Sequence, residues 1–270
     1  MNIQWPLVLF SAIAGAGAWL FVCTAVNEFR GGSEKLRIPT SITAIVLLLI
    51  GGVASATHLS HVERMLEVLN HPTEGIFLEA LLLGCTAGCI FVYAVLVYRD
   101  ASKTARKVFC VLAIGFGVFF SFACGKSYMM PSRPAWNTWT LPSSYMGTSA
   151  ATGTALYLLF CGIFKLGEAD VKRAGTYTVG GALIGLVCVL AFGVGGGVAT
   201  GEQALLYWTC AVAIGCVVPG LCGLAATRKP ELALPLGIIG TLGGFIGSCG
   251  IRSVMWLAGT VIADYFEVEI

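Results

Sequence analysis

Histidine side chains are confined to one short part of this chain. His58 and His61 fall in the stretch ATHLSHVER, residues 56–64, and His71 follows ten residues later. Imidazole exchanges protons near neutral pH, and in its neutral form it also binds metals. The spacing of His58 and His61 permits joint metal ligation, but Glu63 is the only carboxylate close by, so we expect no metal site. Proton exchange, with His58 as the candidate group, is the chemistry that this stretch predicts.

Three further ionisable residues lie within or beside long apolar stretches: Glu79, Lys126 and Arg252. A charge inside a membrane is costly, so such residues mark functional sites by default. Structural interpretations stay open beside the functional one. Lys126 could extend its long side chain to an interface, Arg252 could simply pair with Glu79, and His58 could be an ordinary interfacial residue.

Membrane helices must position these residues, because 57% of the chain is hydrophobic and only 11% is charged. A soluble domain has about 25% charged residues. A spanning helix needs about 20 apolar residues, and segments of this length indicate helices and not barrel strands. The predicted spans are 5–26, 41–57, 75–98, 108–125, 145–164, 177–198, 204–226 and 232–263. We therefore predict an all-α fold, a polytopic membrane helix bundle with eight transmembrane helices, as a single integral membrane domain over residues 1–270.

Basic residues favour one orientation of these spans. The odd-numbered loops carry twelve of them: Arg30, Lys35, Arg37, Arg99, Lys103, Arg106, Lys107, Lys165, Lys172, Arg173, Arg228 and Lys229. The even-numbered loops carry only Arg64, Lys126 and Arg133. Because basic loops stay in the cytoplasm, the pattern predicts a cytoplasmic (inner) membrane protein with both termini extracytoplasmic.

With this orientation, the unusual polar residues share one depth. His58 ends the second span, Glu79 lies about one helical turn into the third, and Lys126 ends the fourth. Arg252 follows Leu232 by twenty residues, which is about 30 Å of helix and the full hydrocarbon thickness. The sequence therefore predicts one polar cluster at the extracytoplasmic rim of the bundle.

An aromatic, proline-containing loop, SYMMPSRPAWNTWTLPSSY at residues 127–145, follows the fourth span at the same rim. Tryptophan and tyrosine are common at membrane interfaces in general. As a unit, however, Tyr128, Trp136 and Trp139 could form an ordered cap over the polar head of an apolar ligand.

Several kinds of redox centre are not expected in this chain. Haem within a bundle needs axial ligands, usually histidines, and no histidine lies in mid-membrane. The eleven cysteines lie in or at the end of apolar runs without a CxxC motif, which favours packing over an iron–sulfur cluster or a zinc site. No nucleotide fingerprint or Ser-His-Asp signal is present, and we expect no nucleic-acid partner.

An apolar bundle with one polar rim suits a lipid-soluble redox carrier such as a quinol. Oxidising a quinol releases two protons and two electrons. His58 and Glu79 could accept the protons, since both are suited to proton exchange. The electrons need an acceptor that this chain does not carry, so a partner with a redox centre is expected at the outer face.

Several patches, taken in order, resemble a known family: QWPLVLF, ASATHLSHVERMLEVLN, Glu79, PAWNTWTLP and GSCGIRSVMWLAG. Together they resemble the membrane anchor subunit of DMSO reductase-type molybdoenzymes, the DmsC-like family, over essentially the full length. The resemblance implies menaquinol oxidation involving His58, Glu79 and Arg252. It also implies electron transfer to an iron–sulfur subunit and a molybdopterin catalytic subunit. This chain reads HLSHVER where the family tends to have HLG and a proline before the arginine, so loop docking there can differ.

We therefore predict a membrane anchor that binds menaquinol through His58, Glu79, Arg252, Tyr128, Trp136 and Trp139, without a metal. A polysulfide-reductase-type anchor, which can run towards quinone reduction, remains an alternative. A purely structural anchor and a secondary transporter remain as other classes. Transporters usually bind their substrate near the bilayer midplane, whereas the polar residues here lie at one rim.

Overall fold

The computed structural model describes residues 3–57, 70 and 74–259, and this part of the chain folds into eight long helices without a strand. All eight are long and apolar enough to cross a membrane, which confirms the predicted all-α fold with eight spans. Their bounds are α1 Trp5–Arg30, α2 Arg37–Ala56, α3 Gly75–Tyr98, α4 Lys103–Lys126, α5 Thr140–Ile163, α6 Glu168–Gly195, α7 Ala204–Arg228 and α8 Ala233–Leu257. Short 3₁₀ turns, Glu34–Leu36 and Pro230–Leu232, precede α2 and α8.

Helix ends differ most from the predicted spans where charged residues continue a helix. Helix α6 begins at Glu168, nine residues before the predicted start at Tyr177. Its first turns are stabilised by ion pairs of Lys172 with Glu168 and of Arg173 with Asp170, so helix extends beyond the apolar segment. The last helix ends earlier than predicted. Helix α8 ends at Leu257, and residues 258 and 259, which the structure also describes, are not helical, although the predicted span continued to residue 263.

Helices α1 and α5 form the centre of the bundle. Helix α1 packs against α2, α4, α5 and α8, and α5 packs against α1, α4, α6 and α8. Both are rich in alanine, glycine, serine and threonine at buried positions, which lets neighbouring backbones approach closely. Helices α2 and α3 have the smallest buried shares of the eight, 28% and 17%, so they present apolar surface to lipid.

Several glycines allow close contact between helices within the bundle. A Cβ at Gly181 of α6 would lie 2.7 Å from the Ala150 carbonyl oxygen of α5. A Cβ at Gly244 of α8 would lie 2.9 Å from Thr152 Cα, also on α5. These contacts explain how α5 holds α6 and α8 at short range.

Helix α7 contains a long π-helical stretch, Tyr207–Val217. The stretch ends two residues before Pro219, which has no backbone N–H to donate. Within it, Gly215 faces Gly247 of α8 so closely that a Cβ on Gly215 would lie 2.5 Å from Gly247 Cα. The widened turn therefore packs directly on the α8 backbone.

A buried ion cluster joins α1 to α4 at the end of the bundle that is rich in basic residues. The Glu28 side chain is 2% exposed, and its Oε2 lies 2.5 Å from Arg37 Nε. Tyr93 donates a hydrogen bond to the same oxygen at 3.0 Å. Arg106 Nε lies 3.4 Å from Oε1, as an ion pair without hydrogen-bond geometry. One carboxylate thus compensates two arginines contributed by α2 and α4.

Glu28→Gln is expected to destabilise the folded chain strongly, because it removes the one described carboxylate beside the buried Arg106 and leaves Arg37 with only the exposed Glu34. Breaking a buried pair in this way costs about 3–5 kcal/mol. Thermal unfolding of the detergent-purified protein checks the loss of stability. Glu34→Gln is the matched control, because Glu34 also pairs with Arg37 but is 76% exposed, where a pair contributes about 0–1 kcal/mol. Equal melting temperatures for the two variants would contradict the expectation.

Candidate functional site

Six helix ends meet at the opposite end of the bundle. The start of α1 and the end of α2 are adjacent, since a Cβ on Gly51 would lie 2.9 Å from the Phe10 carbonyl oxygen. The start of α3 contacts the end of α4 through Gly75 and Ser127. The starts of α1 and α5 both contact the end of α8 through Arg252. The structure thus places Glu79 and Arg252 at one end of the bundle.

Arg252 is completely buried, with 0% exposure. Its Nε donates to Ser11 Oγ at 2.7 Å, and Nη2 donates to the Ser11 carbonyl oxygen at 3.1 Å. Its Nη1 donates to Ser248 Oγ at 2.6 Å, to the Ser248 carbonyl at 2.8 Å and to Thr148 Oγ1 at 3.3 Å. The guanidinium carbon lies 4.2 Å from the centre of the Tyr145 ring. The guanidinium is therefore held rigidly by α1, α5 and α8.

No carboxylate lies within ion-pair distance of Arg252 in the part of the chain that the structure describes. The interpretation of Arg252 as a direct ion-pair partner of Glu79 is therefore wrong. Serine and threonine hydroxyls and backbone carbonyls occupy the guanidinium donors instead. A buried cation held only by neutral groups keeps its positive field available to a bound ligand.

Glu79 is a half-buried carboxyl in the second turn of α3. It lies close enough to the Ser127 side chain to interact with it. Gly75 makes this approach possible, because a Cβ there would lie 2.6 Å from Ser127 Oγ. Glu79 and Arg252 both interact electrostatically with Tyr128 and with Tyr145. The two tyrosines therefore lie in the region that the anionic and cationic residues share.

Four aromatic residues, Tyr128, Trp136, Tyr145 and Trp256, form what we call the aromatic cluster. The Tyr128 ring centre lies 5.9 Å from Trp136, 6.0 Å from Tyr145 and 5.7 Å from Trp256. The two tryptophans lie 5.3 Å apart, edge to face. The Trp136 indole N–H donates to the Met255 carbonyl oxygen at 2.7 Å. The loop after α4 is therefore an ordered cap that is bound to the end of α8.

Tyr128 remains a neutral hydrogen-bonding group in this position. Removal from water raises the pKa of the Tyr128 phenol above its ordinary value, and the neighbouring Tyr145 and Glu79 raise it further. Arg252 acts in the opposite direction but is a weaker influence. At ordinary pH the phenol therefore offers an O–H donor beside Glu79 and not a negative charge.

Trp139 does not join the aromatic cluster, although the sequence grouped it with Tyr128 and Trp136. Its side chain is 61% exposed, and its ring stacks on Phe122 with the centres 6.3 Å apart. Lys126 Nζ lies 5.5 Å from the centre of the same ring. This arrangement is typical of an interfacial tryptophan with an extended lysine.

A cavity of about 290 Å³ opens between the start of α3 and the end of α4, at the lower end of the range of about 300–1,000 Å³ for ligand pockets. Its described lining comprises Glu74, Gly75, Leu78, Ala123, Lys126, Ser127 and Met129. Ser127 belongs both to this lining and to the surroundings of Glu79. The cavity is therefore adjacent to the candidate proton acceptor on α3.

The predicted residues His58, His61 and His71 lie outside the described residues. The chain that carries them joins the end of α2 to the start of α3, and both of these ends belong to the site end of the bundle. Among the residues that the structure does describe, no group of three His, Cys, Asp or Glu side chains could hold a metal ion.

Sequence reasoning missed Trp256, Tyr145 and the hydroxyls that hold Arg252. Trp256 could have been found, because it follows Arg252 by four residues and so lies on the same helix face. Tyr145 was the last residue of the quoted loop, but no pattern distinguished it. Ser11 and Thr148 had no signal, since serine and threonine are common in membrane helices and their contacts here come from three separate helices.

Comparisons with known proteins connect this geometry to one family. The family model of the DMSO reductase anchor subunit (DmsC) matches residues 1–194, which cover α1 to α5 and all but the last residue of α6. A search of the curated proteins found no match. Arg252 and Trp256 lie beyond the matched segment. Since the match covers more than half of the chain, the protein belongs to the DMSO reductase anchor subunit (DmsC) family, as a multi-pass membrane anchor that associates with the catalytic and electron-transfer subunits of such a complex.

Proposed function

We propose that this anchor subunit binds and oxidises menaquinol at the end of the bundle that carries Glu79 and Arg252. One observation carries the proposal: Arg252, a completely buried cation with no counter-ion among the described residues, lies against Tyr145 of the aromatic cluster beneath an ordered cap, at the same end of the bundle as the Glu79 carboxyl group. A site of this kind offers apolar contact to a quinol ring and polar contact to its oxygens.

The two protons and two electrons of the proposed step are accepted by residues of this chain and by an iron–sulfur subunit, respectively. A quinol loses two protons and two electrons and becomes a quinone. The Glu79 carboxylate accepts one proton and the His58 imidazole accepts the other, since both groups can exchange protons in the physiological range when suitably placed. The electrons leave through an iron–sulfur subunit and reach a molybdopterin catalytic subunit, which reduces the terminal acceptor.

Arg252 supplies the electrostatic part of this mechanism. Loss of the first proton leaves negative charge on a quinol oxygen, and a fixed positive charge nearby stabilises that anion. The guanidinium needs no rearrangement to do so, because three helices already hold it in place. Tyr128 and Trp136 pack against each other at the same end of the bundle, and Trp136 binds the end of α8.

The proposed location is the cytoplasmic membrane, with both termini and the site extracytoplasmic. The end of the bundle opposite the site carries Arg30, Arg37, Arg106 and Arg173, and basic ends remain in the cytoplasm. Electrons then leave on the outer side, so the soluble subunits dock at the loops beside α3 and α5.

An epitope tag on the N-terminus is expected to be accessible to antibody in intact spheroplasts. The same tag inserted after Asp100, between α3 and α4, is expected to become accessible only after the membrane is permeabilised. The reverse pattern of the two tags would invert the proposed orientation.

The proposed function is tested by supplying the assembled complex with two alternative electron donors. A short-chain naphthoquinol must enter through the quinol site, whereas a reduced soluble dye supplies the soluble subunits directly. His58→Ala is expected to lose at least about 100-fold in quinol-driven turnover, the lower range for removal of a proton-transfer group. Dye-driven turnover and co-purification of the subunits should remain at wild-type levels.

His71→Ala is the matched control, because His71 belongs to the same connection but is expected to be a solvated residue. Its quinol-driven turnover should equal that of the wild type. A wild-type complex that accepts electrons from the dye but never from the naphthoquinol would sink the proposed function. A His58→Ala complex with undiminished quinol turnover would remove His58 from the site.

A further inference from the structure

Trp256, in the last turn of α8, is the one buried tryptophan whose indole N–H has no hydrogen-bond partner among the described residues. Its side chain is 4% exposed, so water does not replace the missing partner. Trp19 and Trp136, the other buried tryptophans, donate to Ser121 Oγ at 3.1 Å and to the Met255 carbonyl at 2.7 Å. Buried tryptophan N–H groups usually have partners, so this exception needs an explanation.

The place of Trp256 in the fold indicates what the missing partner is. Trp256 follows Arg252 by four residues on α8, so both side chains extend from one face of the helix. Its ring centre lies 5.7 Å from Tyr128 and 5.3 Å from Trp136. The N–H is therefore part of the aromatic cluster, beside a cation that also has no anionic partner in the described part of the chain.

Trp256 presents a hydrogen-bond donor and Arg252 a positive charge, and none of their described contacts supplies a negatively charged acceptor. A ligand that fits them must carry an acceptor oxygen attached to a flat apolar body, because the surrounding surface is aromatic. A quinol, and the quinone formed from it, have both features.

We propose that the Trp256 indole N–H donates a hydrogen bond to a ring oxygen of the quinol and of the quinone produced from it. This inference rests on the proposed function. Indole cannot accept the proton that a quinol releases, so Trp256 is a binding residue and not a proton acceptor. Its removal weakens binding, most strongly for the quinone, because a carbonyl oxygen accepts a hydrogen bond better than a hydroxyl oxygen.

Trp256→Phe in the assembled complex removes the N–H and keeps an aromatic ring. The KM for a short-chain naphthoquinol is expected to rise about 3- to 10-fold, the range for loss of one hydrogen bond, with kcat changed less than twofold. Inhibition by the matching naphthoquinone should weaken by at least as much. Trp208→Phe is the control, since Trp208 is exposed and donates only to the Ala199 carbonyl oxygen; its KM should be that of the wild type.

The outcomes separate this inference from the proposed function. If Trp256→Phe and Trp208→Phe have equal KM and inhibition constants while Glu79→Gln is impaired, the role of Trp256 is overturned and the quinol site stands. If the wild type does not oxidise the naphthoquinol, both fail together. If Trp256→Phe does not assemble, the smaller pair Trp256→His and Trp256→Leu decides, because only His retains an N–H. Tighter binding by Trp256→His supports the inference, and equal binding overturns it.

Discussion

Glu79→Gln is expected to lower quinol-driven turnover of the complex by at least about 100-fold, because glutamine cannot accept the proton that a quinol releases. Glutamine keeps the size of the side chain and its ability to interact with Ser127, so helices α3 and α4 should pack as before. Turnover driven by a reduced soluble dye should stay within twofold of the wild type. Steady-state rates with the two donors, measured on the same purified complex, check both expectations.

Glu202→Gln is the control for this substitution. Glu202 is exposed between α6 and α7, so the identical chemical change there should leave both rates unaltered. A Glu79→Gln complex that oxidises quinol at the wild-type rate would show that the carboxyl group does not transfer protons. A loss of both rates together would instead indicate that Glu79 supports assembly with the soluble subunits.

Arg252→Met is expected to lower quinol-driven turnover by about 10- to 100-fold, the effect of removing a hydrogen bond or ion contact that involves a charged group. Methionine fills much of the volume but removes the positive field that would stabilise the quinol anion. Arg252→Lys should be intermediate, because lysine keeps the charge but cannot contact Ser11, Thr148 and Ser248 at once. Turnover per assembled complex is the quantity to compare.

Normalising to assembled complex distinguishes the proposed role from a structural one. A purely structural Arg252 would lower the amount of complex in the membrane and leave the turnover of each complex unchanged. Arg228→Met is the control, since Arg228 is exposed at the opposite end of α7. Equal turnover per complex in Arg252→Met, Arg228→Met and the wild type would remove Arg252 from the site.

Spans and helix number were predictable because they depend on local composition. Each apolar run had to form a helix, since lipid offers no partners to backbone polar groups. The start of α6 was less predictable, because Glu168, Lys172 and Arg173 lie in helical turns outside the apolar segment. A hydropathy pattern shows where a chain can enter lipid, and it does not show where the helix itself begins.

The site was predictable only as a depth in the membrane. Counting residues along α3 and α8 placed Glu79 and Arg252 at one end of the bundle, and the structure agrees. The partners of Arg252 were not predictable, because a sequence does not show whether a buried guanidinium pairs with a carboxylate or with hydroxyl groups. Likewise, Trp136 and Trp139 differ in burial although only two residues separate them in the same loop.

The class of this protein, its eight spans and the end of the bundle at which polar residues collect were all predictable from the sequence. Those properties follow from the lengths of the apolar segments and from the positions of the charged residues along the chain. Only the packing of the helices shows that Arg252 meets Ser11 and Thr148, that Trp136 binds the end of α8, and that the Trp256 N–H has no hydrogen-bond partner among the described residues. These contacts depend on which helices become neighbours, because each of them joins residues that are more than one hundred positions apart in the sequence. The unpaired Trp256 N–H depends on the same packing, because no acceptor among the described residues lies within its reach.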